Sequence, residues 1–147
     1  QPSLVAQMID LLDLTGKEHV LEIGTASGYS TAILSLCCKK VDTIEIDPEL
    51  GGSAKERLKL LGFKNASVHI GDGSLGIPSK APFDAIVVTA AAKEIPKALT
   101  DQLKEEGRMV IPVQTEESDM QELFVCIKLN NRLIKKPIIP VRFVSLV

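Results

Sequence analysis

No apolar run in this chain approaches the ~20 residues that a membrane-spanning helix needs, and no signal-peptide pattern opens it. No membrane association is therefore expected, and the cytoplasm is the expected location. An excess of either charge is also missing. Lys and Arg number 17 against 19 Asp and Glu, so the net charge of −2 leaves no footprint for nucleic acid. The one basic cluster, Arg132, Lys135, Lys136 and Arg142, reads as the solvated face of a hairpin. The three cysteines lack metal or redox spacing and read as buried thiols in a reducing compartment, with Cys37 and Cys38 at a helix end and Cys126 in a strand. His19 and His69 have no partner at zinc-ligand spacing and are expected to be structural. Neither repeats nor low-complexity segments appear. Gln1 stands where a methionine would open a chain, so a fragment or a processed product is expected.

What the chain does have is Val20-Leu21-Glu22-Ile23-Gly24-Thr25-Ala26-Ser27-Gly28-Tyr29, a short buried strand, a glycine turn and a helix start. That order sets backbone N–H groups and a positive helix end at the carboxyl edge of a sheet. Glu45 closes the next strand-like run, 21 positions after Gly24 (45 − 24). An acid near that offset accepts hydrogen bonds from a ribose diol. A dinucleotide loop wants glycine at 26 and 29, where Ala26 and Tyr29 stand, so a hydride-transfer cofactor is disfavoured. The pattern E-x-G-x-x-x-G-Y resembles the first motif of S-adenosylmethionine-dependent methyltransferases, whose loop cradles the methionine part. A plain strand–helix turn needing glycine for its φ angles would look the same in isolation.

Leu4, Val5, Met8, Ile9, Leu11 and Leu12 predict an amphipathic helix over 3–14, capped by Ser3. Strands are expected at 19–23, 41–46, 66–70, 83–88 and 108–113. Helices are expected at 28–38, turning Ile33, Leu34 and Leu36 inward, and from Pro48 to Leu61, turning Leu50, Ala54, Leu58 and Leu61 inward. Asp47 should cap the second of these, and Gly51-Gly52 should loosen its first turn. Another helix runs from about Pro96 to before Glu106. Residues 114–121 read as loop, and 122–129 with 132–139 as a hairpin around Asn130-Asn131, since Asn tolerates the positive φ of a tight turn. The tail 140–144 reads as extended. At 147 residues this is one domain, an open, doubly wound, mostly parallel α/β sheet of Rossmann-like type with a C-terminal antiparallel hairpin.

Ligands of such sheets lie beyond the carboxyl ends of the strands, where Gly24 to Gly28, Glu45, Asp72 and Thr89 to Ala92 all fall. Glu45 would accept both ribose hydroxyls. Asp72 would accept from an adenine amino group while a neighbouring N–H donates to the ring, although an Asx turn reads alike. Glu22 either takes the methionine ammonium through water or ties down the loop's own N–H groups. Thr89 to Ala92 offers small side chains where a second substrate comes close, or simply packs helix on sheet. Methyl transfer from a sulfonium to an anion asks for alignment and exclusion of water, so the lack of a catalytic His or Cys does not exclude an enzyme.

Several further stretches carry a stronger resemblance. Gln1-Pro2, Val20 to Tyr29, Gly71-Asp72-Gly73-Ser74-Leu75-Gly76, Phe83 to Ala92, Asp101-Gln102-Leu103, Val110-Ile111-Pro112-Val113 and Pro140-Val141-Arg142-Phe143-Val144 resemble the protein-L-isoaspartate (D-aspartate) O-methyltransferase family from end to end. The resemblance implies transfer of a methyl group from S-adenosyl-L-methionine to the free carboxylate of L-isoaspartyl and D-aspartyl residues in damaged proteins, with S-adenosyl-L-homocysteine as product. The ester then closes to a succinimide unaided, and hydrolysis returns some normal aspartate. It also implies a cofactor site of Glu22, Gly24, Thr25, Ala26, Ser27, Gly28, Glu45, Ile46, Asp72 and Gly73. The peptide side would comprise Gln1, Pro2, Thr89, Ala90, Val141 and Arg142, in a monomer without metal.

In the family a Thr-Ile-Ser stretch that meets the reacting carboxylate precedes the Gln-Pro pair. It would fall before Gln1, so the expectation is a chain lacking the family's N-terminal segment, with no catalytic residue assigned within it. Ala26 replaces the usual second glycine of the loop. Two other readings stay open: a methyltransferase for a different acceptor, and a silent cofactor-binding domain.

Overall fold

The computed structural model describes residues 1–116 and 119–147. Helix α1 (Pro2–Leu11) leads into β1 (His19–Ile23), α2 (Tyr29–Cys37), β2 (Lys40–Glu45), α3 (Pro48–Leu60) and β3 (Ala66–Ile70). After two short 3-10 turns come β4 (Phe83–Val88), α4 (Lys97–Gln102), β5 (Leu103–Gln114), β6 (Gln121–Leu129) and β7 (Arg132–Val141). The seven strands form one sheet in the order β3-β2-β1-β4-β5-β6-β7. Pairing is parallel from β3 across to β5, and antiparallel from β5 to β6 and β6 to β7. The doubly wound sheet with a terminal hairpin is as expected. The order of the last two strands, open in the sequence, is settled with β7 at the edge.

Alternation within the central strands explains how the sheet is buried on both faces. Leu21, Ile23, Ile86 and Val88 face one apolar layer with Leu99 of α4, while Val20, Val87 and Val110 face the other with Met8, Ile9 and Leu34 of α1 and α2. Successive side chains of a strand point to opposite faces, and each aliphatic side chain removed from water contributes ~1.5–3 kcal/mol. The strand order reverses between the parallel neighbours β1 and β4, which opens a crevice at their carboxyl ends.

Several expected boundaries shift for local reasons. Helix α1 begins at Pro2, not Ser3, because the fixed φ of proline suits the first helical position; Gln1 takes the cap without a side-chain bond. It stops at Leu11 because Asp13 adopts a φ of 53°. Leu36, expected inward, is exposed, as are Leu50 and Leu61; Leu34, Ala54 and Leu58 carry the packing instead. Asp47 caps α3 as expected, accepting from the N–H groups of Glu49 and Leu50. The first turn of α3 is not loosened, since the helix runs unbroken through Gly51 and Gly52. Gly51 is the more crowded of the two: a Cβ would lie 2.2 Å from Ile70 Cδ1, which would have to move, and 3.3 Å from Glu45 Cβ. Nothing in the structure explains Gly52.

Helix α4 is shorter than expected, and β5 starts at Leu103 in place of Arg108. Lys128 of β6 ends the helix by donating from Nζ to the carbonyls of Thr100 and Leu103, both at 2.9 Å. A register shift against β4 absorbs the extra residues, with Glu106 at a φ of 68°. The hairpin turn follows the sequence reading, Asn130 and Asn131 both having positive φ (52° and 61°). Of the expected 114–121 loop, residues 117 and 118 lie outside the described residues. The tail pairs as β7 as far as Val141. All three cysteines are free thiols, and burial pushes Cys38 to about 12 and Cys126 to about 11. Among the described residues no helix is long and apolar enough to cross a membrane, and no group of His, Cys, Asp and Glu is arranged to hold a metal.

Candidate functional site

Strands β1, β2 and β4 end side by side, Ile23 pairing with Ile44 on one flank and Val88 on the other. The backbone then turns at Gly24, whose φ of 95° favours glycine. A Cβ there would sit 2.3 Å from Thr89 Oγ1. Thr89 uses this closeness: its hydroxyl lies 2.9 Å from the carbonyl of Ile23 and 3.0 Å from that of Gly24, to either of which it can donate. The loop after β1 and the segment after β4 are thus joined at one hydroxyl.

Glu45 joins the same loop to β2. Its Oε1 accepts the Ala26 N–H at 2.8 Å and its Oε2 accepts the Asp47 N–H at 3.0 Å. Glu45 is buried, 7% exposed, and lines a cavity of about 220 Å³. Gly24, Ala26, Glu45, Ile46, Gly73, Thr89 and Ala90 all line that cavity, together with Ile23, Ile44 and Leu50. At Gly73 a Cβ would press on Ile23 Cγ2 at 2.3 Å, so the loop after β3 lies flat against the end of β1.

The other expected cofactor residues lie outside this lining. Glu22 is fully buried and accepts hydroxyl hydrogen bonds from Ser30, Thr31 and Thr43, the last at 2.8 Å. It ties α2 and β2 to β1 through hydroxyls, where the sequence reading had loop N–H groups. Burial drives its pKa upward; the three hydroxyls oppose this and the charge of Glu45 adds to it. Thr25 is buried with its hydroxyl 2.7 Å from that of Thr43. Gly28 caps α2, Ser27 gives its carbonyl to Arg57, and Asp72 accepts from the N–H and hydroxyl of Ser74 at 2.9 and 2.7 Å. These residues shape the loops.

A second, open groove of about 880 Å³ lies between the start of α1 and the end of β7. Gln1, Thr89, Val141 and Arg142 line it; Pro2 does not, and Ala90 faces the smaller cavity. Thr89 and Val144 belong to both walls. The two spaces therefore meet at these residues.

Two features escaped the sequence reading. The tail crosses the smaller cavity, Ser145, Leu146 and Val147 lining it because the Ala91 N–H donates to Val144 and the Leu146 N–H to Ala91, each at 2.7 Å. No local pattern signals this return. Asp42, completely buried in β2, bridges both histidines, with His19 Nε2 at 2.5 Å and His69 Nε2 at 2.8 Å. Burial alone would raise the Asp42 carboxyl, but the two imidazoles and the nearby Lys40 outweigh it and hold it below the usual carboxylate range. The histidines are structural partners of this acid, and the alternation of β2 was the signal for an inward Asp.

Comparison with known proteins adds relatives to this geometry. The sequence is 57% identical over 113 residues to the protein-L-isoaspartate O-methyltransferase of Myxococcus xanthus, covering 77% of this chain and 53% of that protein. It is 49% identical to the Dictyoglomus turgidum enzyme of that name over 99% of this chain and 66% of that one. For Vibrio cholerae the figures are 48%, 100% and 69%. The chain thus spans between about half and two thirds of the length of these relatives. A solved protein-L-isoaspartate O-methyltransferase superposes with a TM-score of 0.93 at 32% identity, over 99% of this chain and 47% of the other. A Plasmodium falciparum structure, titled a complex with S-adenosyl-L-homocysteine, gives 0.81 at 26%, over 97% and 71%. The family model described as protein-L-isoaspartate(D-aspartate) O-methyltransferase matches residues 1–147, so the chain belongs to that family.

Proposed function

We propose that this chain carries the methyl-transfer site of an isoaspartyl-repair enzyme, moving a methyl group from S-adenosyl-L-methionine to the free carboxylate of L-isoaspartyl and D-aspartyl residues in damaged proteins. The observation that carries the reading is the meeting of a smaller cavity at the strand ends and a larger open groove at Thr89 and Val144. A donor in the first and a peptide in the second would present their reacting atoms to each other there.

The residues present fit an adenosyl ligand. Glu45 uses each oxygen once within the protein, and a carboxylate oxygen accepts more than one hydrogen bond, so both remain able to receive ribose hydroxyls. Ile23, Ile44, Ile46 and Leu50 give apolar walls suited to a base, and Gly73 keeps the floor free of a side chain. When bound, the cofactor supplies an electrophilic methyl on a sulfonium, a good leaving group. The acceptor carboxylate is already an anion and needs no base.

What the chain contributes is alignment, exclusion of water by the tail over the cavity, and the guanidinium of Arg142 beside the groove to draw an anionic residue in. Glu22, Thr25, Ser27 and Gly28 act through the shape of the loop. Asp72 holds its own turn at the adenine end. Gln1, Val141 and Ala90 contact the peptide or stand close to the transferred methyl, with Pro2 setting the start of α1. The same reading takes the chain as a single cytoplasmic domain acting as a monomer on isoaspartyl proteins.

The deciding experiment supplies methyl-labelled S-adenosyl-L-methionine with an isoaspartyl peptide and its normal aspartyl counterpart. A base-labile labelled ester on the isoaspartyl peptide alone is expected. Equal labelling of both peptides, or no label on either, would overturn the proposal.

A further inference from the structure

We propose that Gln102 is a positioning residue for the adenosine end of the cofactor, acting through the backbone of residues 75–77; this rests on the methyl-transfer reading above. Gln102 ends α4 on the far side of the loop whose Gly73 lines the cavity, and it is 6% exposed. Its amide grips the loop with both ends. Oε1 accepts the Ile77 N–H at 2.8 Å, and Nε2 donates to the Leu75 carbonyl at 2.9 Å.

Gly76, between those two contacts, has φ 61° and ψ −151°, a conformation open essentially to glycine alone. A Cβ on it would lie 2.2 Å from Gln102 Oε1 and 2.7 Å from the amide carbon and nitrogen. The backbone is therefore notched to admit this amide. Asp72 caps the start of the same loop, and Gly73 lies against Ile23. Gln102 holds the other end, so the floor of the cavity cannot lift without breaking two hydrogen bonds, one buried and one partly buried. The pairing demands a side chain that donates and accepts at once, which a carboxylate does not do.

The test is Gln102→Glu, with S-adenosyl-L-homocysteine and 5′-methylthioadenosine titrated calorimetrically into the variant and the wild-type chain. At about pH 8.5 both ligands should bind the variant roughly tenfold more weakly than the wild type, the scale of one buried hydrogen bond lost. At about pH 5 the introduced carboxyl, its pKa lifted by burial, regains a proton and a donor, so most of the loss should be recovered. A merely structural defect would show no such recovery. Unchanged affinity at high pH, or a loss for the homocysteine ligand without one for the thioadenosine, overturns the proposal. A wild-type chain that binds neither ligand refutes the methyl-transfer reading and this inference with it. Should the variant fail to fold, exchange of the Ile77 amide in the wild-type chain decides: it should slow on saturation with S-adenosyl-L-homocysteine, and an unchanged rate overturns the inference.

Discussion

Glu45 Oε1 accepts the backbone N–H of Ala26 at 2.8 Å, so the acid that closes β2 fastens the residue standing in place of a glycine. This bond turns two separate sequence signals, an acid at a ribose-binding offset and an alanine in a glycine loop, into one wall of the cavity. Removing the carboxylate should therefore act on the loop and the ligand together. Glu45→Ala is expected to weaken binding of S-adenosyl-L-homocysteine by ~1–3 kcal/mol, the cost of leaving polar groups without their hydrogen-bond partner. Calorimetry checks it, and an unchanged dissociation constant removes Glu45 from the site.

Ala26 itself sits at a φ of 46° with its methyl group exposed. A left-handed conformation costs a residue with a Cβ ~1–2 kcal/mol, whereas glycine costs ~0.5–1 kcal/mol in added freedom of the unfolded chain. Relief outweighs entropy. Ala26→Gly should leave stability unchanged or raise it by up to ~1 kcal/mol on thermal unfolding. A loss of that size would mean that the methyl group packs against something the folded chain needs.

The Asp42 bridge gives a pH dependence of definite sign. A carboxyl held low in the folded state stabilises above its unfolded pKa, and that stability is lost as pH falls through the folded value. Asp42→Asn should therefore cost ~1–3 kcal/mol at neutral pH and progressively less below ~4, where the unfolded wild-type carboxyl takes up its proton ahead of the folded one. Denaturant unfolding across that range is the measurement. A difference that stayed constant with pH would show that the carboxylate charge is irrelevant to the pairing with His19 and His69.

The adjacent glycines of α3 should respond differently to the same change. Gly52→Ala meets open space and should stabilise the helix by ~1 kcal/mol. Gly51→Ala must displace Ile70 Cδ1 and crowd Glu45, so it should gain less or lose stability. It should also weaken binding of S-adenosyl-L-homocysteine, which the Gly52 change leaves alone. Equal effects of the two substitutions on unfolding and binding would contradict the packing described.

Much of the fold was legible because its signals are local. β1, β3 and β4 run where their apolar stretches lie, Asp47-Pro48 opens α3, and Asn130-Asn131 turns the hairpin. Helix faces were less legible: Leu36, Leu50 and Leu61 suit an inward face by spacing, yet Leu36 and Leu61 are left to solvent and Leu50 borders the smaller cavity. Boundaries moved where a single residue prefers a special angle, as at Asp13 and Glu106. For the candidate site, seven expected residues border the smaller cavity; Glu22, Thr25, Ser27, Gly28 and Asp72 lie outside its lining and make hydrogen bonds to neighbouring groups.

By itself, then, the order of residues determined the strands, the glycine turn and the acid that ends β2, since each depends on neighbours a few positions away. Tertiary structure alone decided that the tail returns over the cavity, that two histidines share Asp42, and that Gln102 reaches the loop at Gly76. Those contacts join segments more than twenty residues apart. Their pairing follows from the stacking of strands and helices, which no local pattern encodes.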